Sequence, residues 1–187
     1  MKKTLIMFLF ENLEDTLDGP KFNKKVEEYF DKNKDDLKKV VAQDPGRIRY
    51  FGKLFLYNHP EVIEQVIDSC FVGPIEYSLS KETMELVPSD MLCMYKAKII
   101  KKVEDNPMYL KYVPASFQEA FLQVPFEAVK KCPDALQFVS VDAMFDYPDI
   151  CFAACKGDMY AYDYVPWEFV SKHPEIRKYS PYHKSAR

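Results

Sequence analysis

Apolar and polar positions recur with a period of 26 residues through the C-terminal half of this chain. Pro107-Met-Tyr-Leu-Lys-Tyr-Val113 returns as Pro133-Asp-Ala-Leu-Gln-Phe-Val139, and again as Met159-Tyr-Ala-Tyr-Asp-Tyr-Val165. Apolar residues hold one position (Leu110, Leu136, Tyr162) and another two residues on (Tyr112, Phe138, Tyr164). Polar Lys111, Gln137 and Asp163 lie between them. The same shift superposes Phe126 on Phe152, Ala128 on Ala154 and Lys130 on Lys156. It also lays Tyr147-Pro148-Asp149-Ile150 over His173-Pro174-Glu175-Ile176. A fixed period of this size predicts stacked units, each too small to bury its own apolar face without its neighbours.

Upstream the register loosens. His59-Pro60-Glu61-Val62 matches the later Pro-acid-apolar phrase, and Asp44-Pro45-Gly-Arg-Ile48-Arg-Tyr50-Phe51 matches the Pro-x-x-Leu-x-aromatic phrase. Gly73-Pro74-Ile75-Glu-Tyr77-Ser78-Leu79 is a more distant version. The irregular spacing reads as divergent repeats with shifted boundaries.

The elements this pattern predicts are short helices. Spans 22–30 and 35–42 are amphipathic, with Val26, Tyr29 and Phe30 on one face and Leu37, Val40 and Val41 on another. Pro60, Pro133, Pro148 and Pro174 each precede an acid. Proline at the first helical position loses no hydrogen bond, and a carboxylate there complements the positive helix end. These phrases therefore predict starts of helices of roughly 7–12 residues. Ser116-Phe-Gln-Glu119 has the spacing of a capping box, and Ser140 that of an N-cap. No run alternates with period two over a strand's length. The expected fold is all-α, a solenoid-like stack of short helix-turn-helix repeats with a divergent N-terminal element. Residues 1–44 form a helical or capping region, 45–178 one continuous repeat domain, and 179–187 a polar tail.

Composition sharpens the picture by exclusion. Five glycines among 187 residues weigh against phosphate-cradling loops and tight hairpins, which need glycine's backbone freedom. A formal net charge of −3 gives no general attraction to a polyanion. The opening Met1-Lys-Lys-Thr-Leu-Ile-Met-Phe-Leu-Phe10 imitates a signal peptide, but its apolar run is short and no small-residue cleavage site follows, so it reads as a buried first element. No stretch approaches the ~20 apolar residues that span a bilayer. Five cysteines in apolar contexts suit a reducing interior, and the cytoplasm is the expected location.

The segment Phe126-Glu-Ala-Val-Lys-Lys-Cys-Pro-Asp-Ala-Leu-Gln-Phe-Val-Ser140 resembles a class of short α-helical repeats. Their hallmark is an Ala-Leu-x-aromatic-Ala-Ser phrase followed by an acid and a second short helix. The likeness covers residues 97–176 best. Tyr162 and Pro166 depart from it in the last unit, as do Gly157-Asp158, where the helix-turn proline is expected. The class carries no established activity or catalytic residues, so the resemblance implies an interaction scaffold.

Individual residues support the same direction. Cys151 and Cys155 share a helix face and could begin a zinc site, yet Cys155 occupies the slot of Val129 and no second ligand pair has matching spacing, so a core role is favoured. His59 and His173 precede Pro-Glu pairs, and tyrosine stands in the equivalent place at 147, which favours packing or capping. Asp35-Asp36 and Asp142, Asp146 and Asp149 sit near helix starts, where acids are ordinary. No catalytic, cofactor or metal residues are assigned. Lys101, Lys102, Lys130 and Lys131, with Lys156, fall near successive helix ends and could form a ridge. Tyr109, Tyr160 and Trp167 fall outside the core register, where interface anchors are found. The resulting expectation is a non-enzymatic scaffold that binds a macromolecule, foremost a protein, for instance as an inhibitor of a host enzyme encoded by a phage or mobile element. A nucleic-acid or nucleoprotein binder using the lysine ridge is the alternative, and a cryptic enzyme the third.

Overall fold

The computed structural model of the chain describes residues 28–29, 32–72 and 77–182. The expected first element, most of the expected helix 22–30 and most of the polar tail lie outside these residues. The described elements are all helical, without a strand among them. In chain order they are α1 (Lys34–Gln43), η1 (Pro45–Tyr50), α2 (Lys53–Asn58), α3 (Pro60–Val72), α4 (Tyr77–Leu86), α5 (Ser89–Met94) and α6 (Lys96–Asp105). Then come η2 (Pro107–Tyr112), α7 (Ala115–Ala120), α8 (Gln123–Lys131), η3 (Pro133–Phe138), α9 (Val141–Asp146), α10 (Asp149–Gly157), η4 (Met159–Tyr164), α11 (Trp167–Lys172) and η5 (Pro174–Tyr179), where η marks a 3₁₀ helix.

Backbone conformation repeats along with the sequence. Residues Asn106, Cys132 and Asp158 enter their 3₁₀ segments from an extended conformation, as does Asp44 upstream. The amide of each bonds back to the carbonyl four residues earlier, at 2.9 to 3.1 Å. The side chains of Asp44, Asn106 and Asp158 accept from the amide two residues on, at 3.1, 3.1 and 2.9 Å. Each segment then ends on an extended apolar residue, Phe51, Val113, Val139 or Val165.

These pinned ends explain a correction. The phrases at Pro133 and Pro174 were expected to open helices of 7–12 residues, but both open six-residue 3₁₀ segments. Val113 and Val165 precede Pro114 and Pro166, which hold them out of the α region. Six residues closed at both ends are too few for α-helical cooperativity to win, so the tighter i→i+3 pattern prevails. At Pro60 the expectation of an α-helix is met by the 13 residues of α3.

The capping box at Ser116 is also absent. Pro114 takes the N-cap position two residues before Ser116, with φ −56° and ψ 146°, and no side chain caps α7. Ser140 does act as an N-cap, its Oγ accepting from the Ala143 amide at 3.1 Å. Upstream, ten-residue α4 stands where later units place a 3₁₀ segment. Its later turns include Met84, fully buried.

Three rows of contacts organise the molecule. Among the longer helices, α1 packs on α3, α6 on α8 and α8 on α10. Between these and the short helices run η1, α4, η2, η3 and η4, each against the next. The short helices pair α5 with α7 and α7 with α9. One continuous hydrophobic core threads all three rows, from Leu37 through Ile99, Leu110, Leu136 and Ile150 to Ile176. Val103, Val129 and Cys155 fill one slot in it, as their register predicts.

Candidate functional site

The residues singled out from sequence fall into two groups that the structure treats differently. Tyr109 is half-buried, its ring 5.7 Å from Phe71 and 5.9 Å from Tyr112. Tyr160 and Trp167 stand out into solvent, 59% and 73% exposed. Trp167 opens α11 at the register position that Ala115 and Val141 hold in α7 and α9. Pro166 lifts the chain into this position with an extended conformation, φ −58° and ψ 141°. Tyr160 lies on the first turn of η4, oriented by the bond from its amide to Asp158.

Around them lie residues the sequence did not single out. Met159 and Tyr164 on η4 and Val141 on α9 are exposed apolar side chains. Tyr182 reaches back from beyond η5, and its hydroxyl donates to Asp163 Oδ2 at 3.3 Å. That contact gathers η4 and the chain beyond η5 on one surface. The carboxylate of Asp163 raises the Tyr182 hydroxyl's pKa through this hydrogen bond and its charge.

The lysines are largely engaged. Lys102 Nζ lies 3.7 Å from Asp68, and Lys98 Nζ, one turn earlier on α6, lies 2.9 Å from Glu64 and 2.7 Å from Asp68. Partial burial opposes the charge on Lys98, but the hydrogen bonds it donates to Asp68 and Glu64, with their charge, outweigh it and raise its pKa. Lys130 pairs with Glu127 at 3.1 Å, and Lys131 donates to the Glu104 carbonyl at 3.2 Å. Lys101 is exposed. Carboxylates of α3 and α8 thus interleave with the cations, and the surface they form carries both signs.

A groove of about 320 Å³ opens beside this surface, between α6 and α8. Ile100, Phe121, Leu122 and Val124 make it apolar, and Lys96, Glu104 and Lys131 border them. Leu122 contributes because it occupies the place that Pro148 and Pro174 hold in later units.

No group of three or more metal-ligating side chains occurs among the described residues. Cys151 and Cys155 are buried within α10, and burial pushes both thiols up to about 12, with Cys155 adding to the effect on Cys151. His59 and His173 are packed against phenylalanine rings, and each Nδ1 approaches the glutamate two residues on, at 3.3 and 3.6 Å. No helix among the described residues is long and apolar enough to cross a membrane. No family model, curated protein or solved structure matches this chain.

Proposed function

We propose that this chain is a non-enzymatic scaffold of stacked helical repeats that binds another protein through the exposed aromatic surface of η4 and α11. The observation that carries this reading is Trp167, 73% exposed at a position where the two preceding units place alanine and valine. A large ring held in solvent by proline-fixed backbone loses little entropy on docking and offers a large area to bury. The stacked architecture is supported by 3₁₀ segments starting at 107, 133 and 159, each against the next. A scaffold of this kind needs no reaction centre, and occupying a partner's surface suffices to inhibit it.

Affinity capture from the native host with the parent chain and with Tyr160→Ala/Trp167→Ala tests the reading. Mass spectrometry should identify a protein held by the parent and lost by the variant at unchanged thermal stability. Equal capture by both would refute the assignment of this surface. The nucleic-acid alternative instead requires binding that falls steeply with salt and is abolished by charge reversal at Lys101, Lys130 and Lys131. The ion pairs of Lys102 and Lys130 speak against it.

A further inference from the structure

At six described positions this chain places its own lysines over exposed or half-exposed rings. Lys96 Nζ lies 4.0 Å from the centroid of Phe121, Lys172 lies 4.5 Å from Phe145, and Lys111 lies 4.7 Å from Tyr112. Lys178 over Tyr179, Lys130 over Phe126 and Lys53 over Tyr57 follow at 4.8, 5.2 and 5.7 Å. A cation over a ring face is attracted by the negative π cloud, and its alkyl stem shields the ring from water.

Half-exposed Tyr147 and Tyr162 carry no described lysine, and neither do the more exposed Tyr160, Tyr164 and Trp167. These last three rings are 59%, 40% and 73% exposed, and no described lysine or arginine lies over them. Lys172, the nearest described lysine after Trp167, is turned away to Phe145. The neighbouring charges have the opposite sign, since Asp163 and Glu168 are exposed and enter no ion pair among the described residues.

Register places these groups on one face. A shallow hollow between η2 and η3 is lined by Lys81, Lys111, Ala115 and Gln137 together. One period on, the same positions are Gln137, Val141 and Asp163, and Trp167 follows Val141. At one register position the charge runs from Lys111 through neutral Gln137 to Asp163, while the apolar position grows from Ala115 through Val141 to Trp167, and Glu168 follows Trp167 at the position held by Ser116 and Asp142.

We infer that the C-terminal end of this face docks a cationic segment of a partner protein, rich in arginine or lysine. Its basic side chains take the places over Tyr160, Tyr164 and Trp167 that the chain's own lysines take elsewhere, and Asp163 and Glu168 neutralise them. This rests on the protein-binding reading above and adds the chemistry of the partner.

Trp167 is the only tryptophan in the chain, so its emission reports directly on the surface. The intact protein is titrated with a short peptide alternating Arg and Gly, and separately with its Glu-for-Arg counterpart. The Arg peptide should change the emission saturably, and the change should need more peptide as salt rises. Asp163→Lys/Glu168→Lys should weaken binding by about tenfold or more at unchanged melting temperature, consistent with loss of both charge and cation–π attraction. If that variant fails to fold, Asp163→Asn/Glu168→Gln makes the same test with smaller perturbation. No response to the Arg peptide, or a response that the charge variants leave intact, overturns the inference. A saturable response to the Glu peptide alone also overturns it while leaving the surface a docking site. Failure of the broader reading is registered separately, by undiminished capture with Tyr160→Ala/Trp167→Ala.

Discussion

Gln118 holds the start of the next unit in place by accepting a hydrogen bond from the Ser140 amide at 2.9 Å. Its own amide donates to the carbonyls of Val113 and Phe138, both at 3.0 Å, so one buried side chain joins η2, η3 and the entrance to α9. The position one period later is Met144, which cannot make these bonds. Replacing Gln118 by leucine keeps the volume and strands the groups it serves. The expected loss is about 1–3 kcal/mol, the cost of leaving buried polar groups unpaired, read from the denaturant midpoint. An unchanged midpoint would mean the bonds contribute nothing net.

The two histidines act as rings at corners. His173 lies 4.5 Å from Phe169 at 32°, and His59 lies 4.2 Å from Phe55 at the same 32°. Phe121 stands over Phe117 at the equivalent corner of α7, at 4.7 Å. Where Ala143 removes the lower ring, Tyr147 turns instead to Phe126, at 5.1 Å. His173→Tyr should therefore retain the parent's melting temperature, whereas His173→Ala should lose about 0.5–1.5 kcal/mol. If tyrosine proves as damaging as alanine, the imidazole is needed for something other than packing.

Gly157 ends α10 against the preceding unit. A Cβ built there would come within 2.9 Å of Pro133 Cγ on η3. Gly157→Ala should lower thermal stability although alanine is the better helix former, because the ring of Pro133 leaves no room. A stabilised variant would show that the two units can separate slightly at no cost.

The buried thiols give the stability a defined pH dependence. Burial pushes Cys70, Cys151 and Cys155 up to about 12, against about 9 in the unfolded chain. Between these values the folded chain keeps protons that the unfolded chain has released. Stability is therefore undiminished by these groups below pH 9 and falls as pH rises towards 12. Cys70→Ala/Cys151→Ala/Cys155→Ala should flatten the decline in denaturant midpoint between pH 8.5 and 10.5. A slope equal to that of the parent would assign the decline elsewhere.

Much of this was legible in particular residues. Leu110, Leu136, Val113 and Val139 recur at the apolar period and all are buried, so the period exposes the recurring segments directly. Whether such a segment is α or 3₁₀ is hidden, because Pro133 and Asp134 open either equally well and only the extended residues at both ends decide. Gln118 left no signal, since its three partners come from Val113, Phe138 and Ser140, and it sat as an unremarked polar residue between Ser116 and Glu119. At the candidate site, Trp167 and Tyr160 stood out by breaking register. Tyr109 breaks it too, but Phe71 of α3 reaches across to cover it. The lysine ridge read as positive although Lys130 has its partner Glu127 on the same helix, and Lys102 meets Asp68 of α3, which lies outside the regular period. Asp163 drew attention only as a polar spacer, and its bond from Tyr182 depends on how the chain returns after η5.

Removal of one complete period, residues 133–158, tests the stacked-unit account most directly. The cut joins Cys132 to Met159, so a 3₁₀ segment still follows α8 and η4 replaces η3 against η2. The account predicts a shorter protein with the parent's helicity per residue and a single cooperative unfolding transition, at a lower temperature because fewer units cover one another. A shorter chain that is unfolded or molten under native conditions would contradict it.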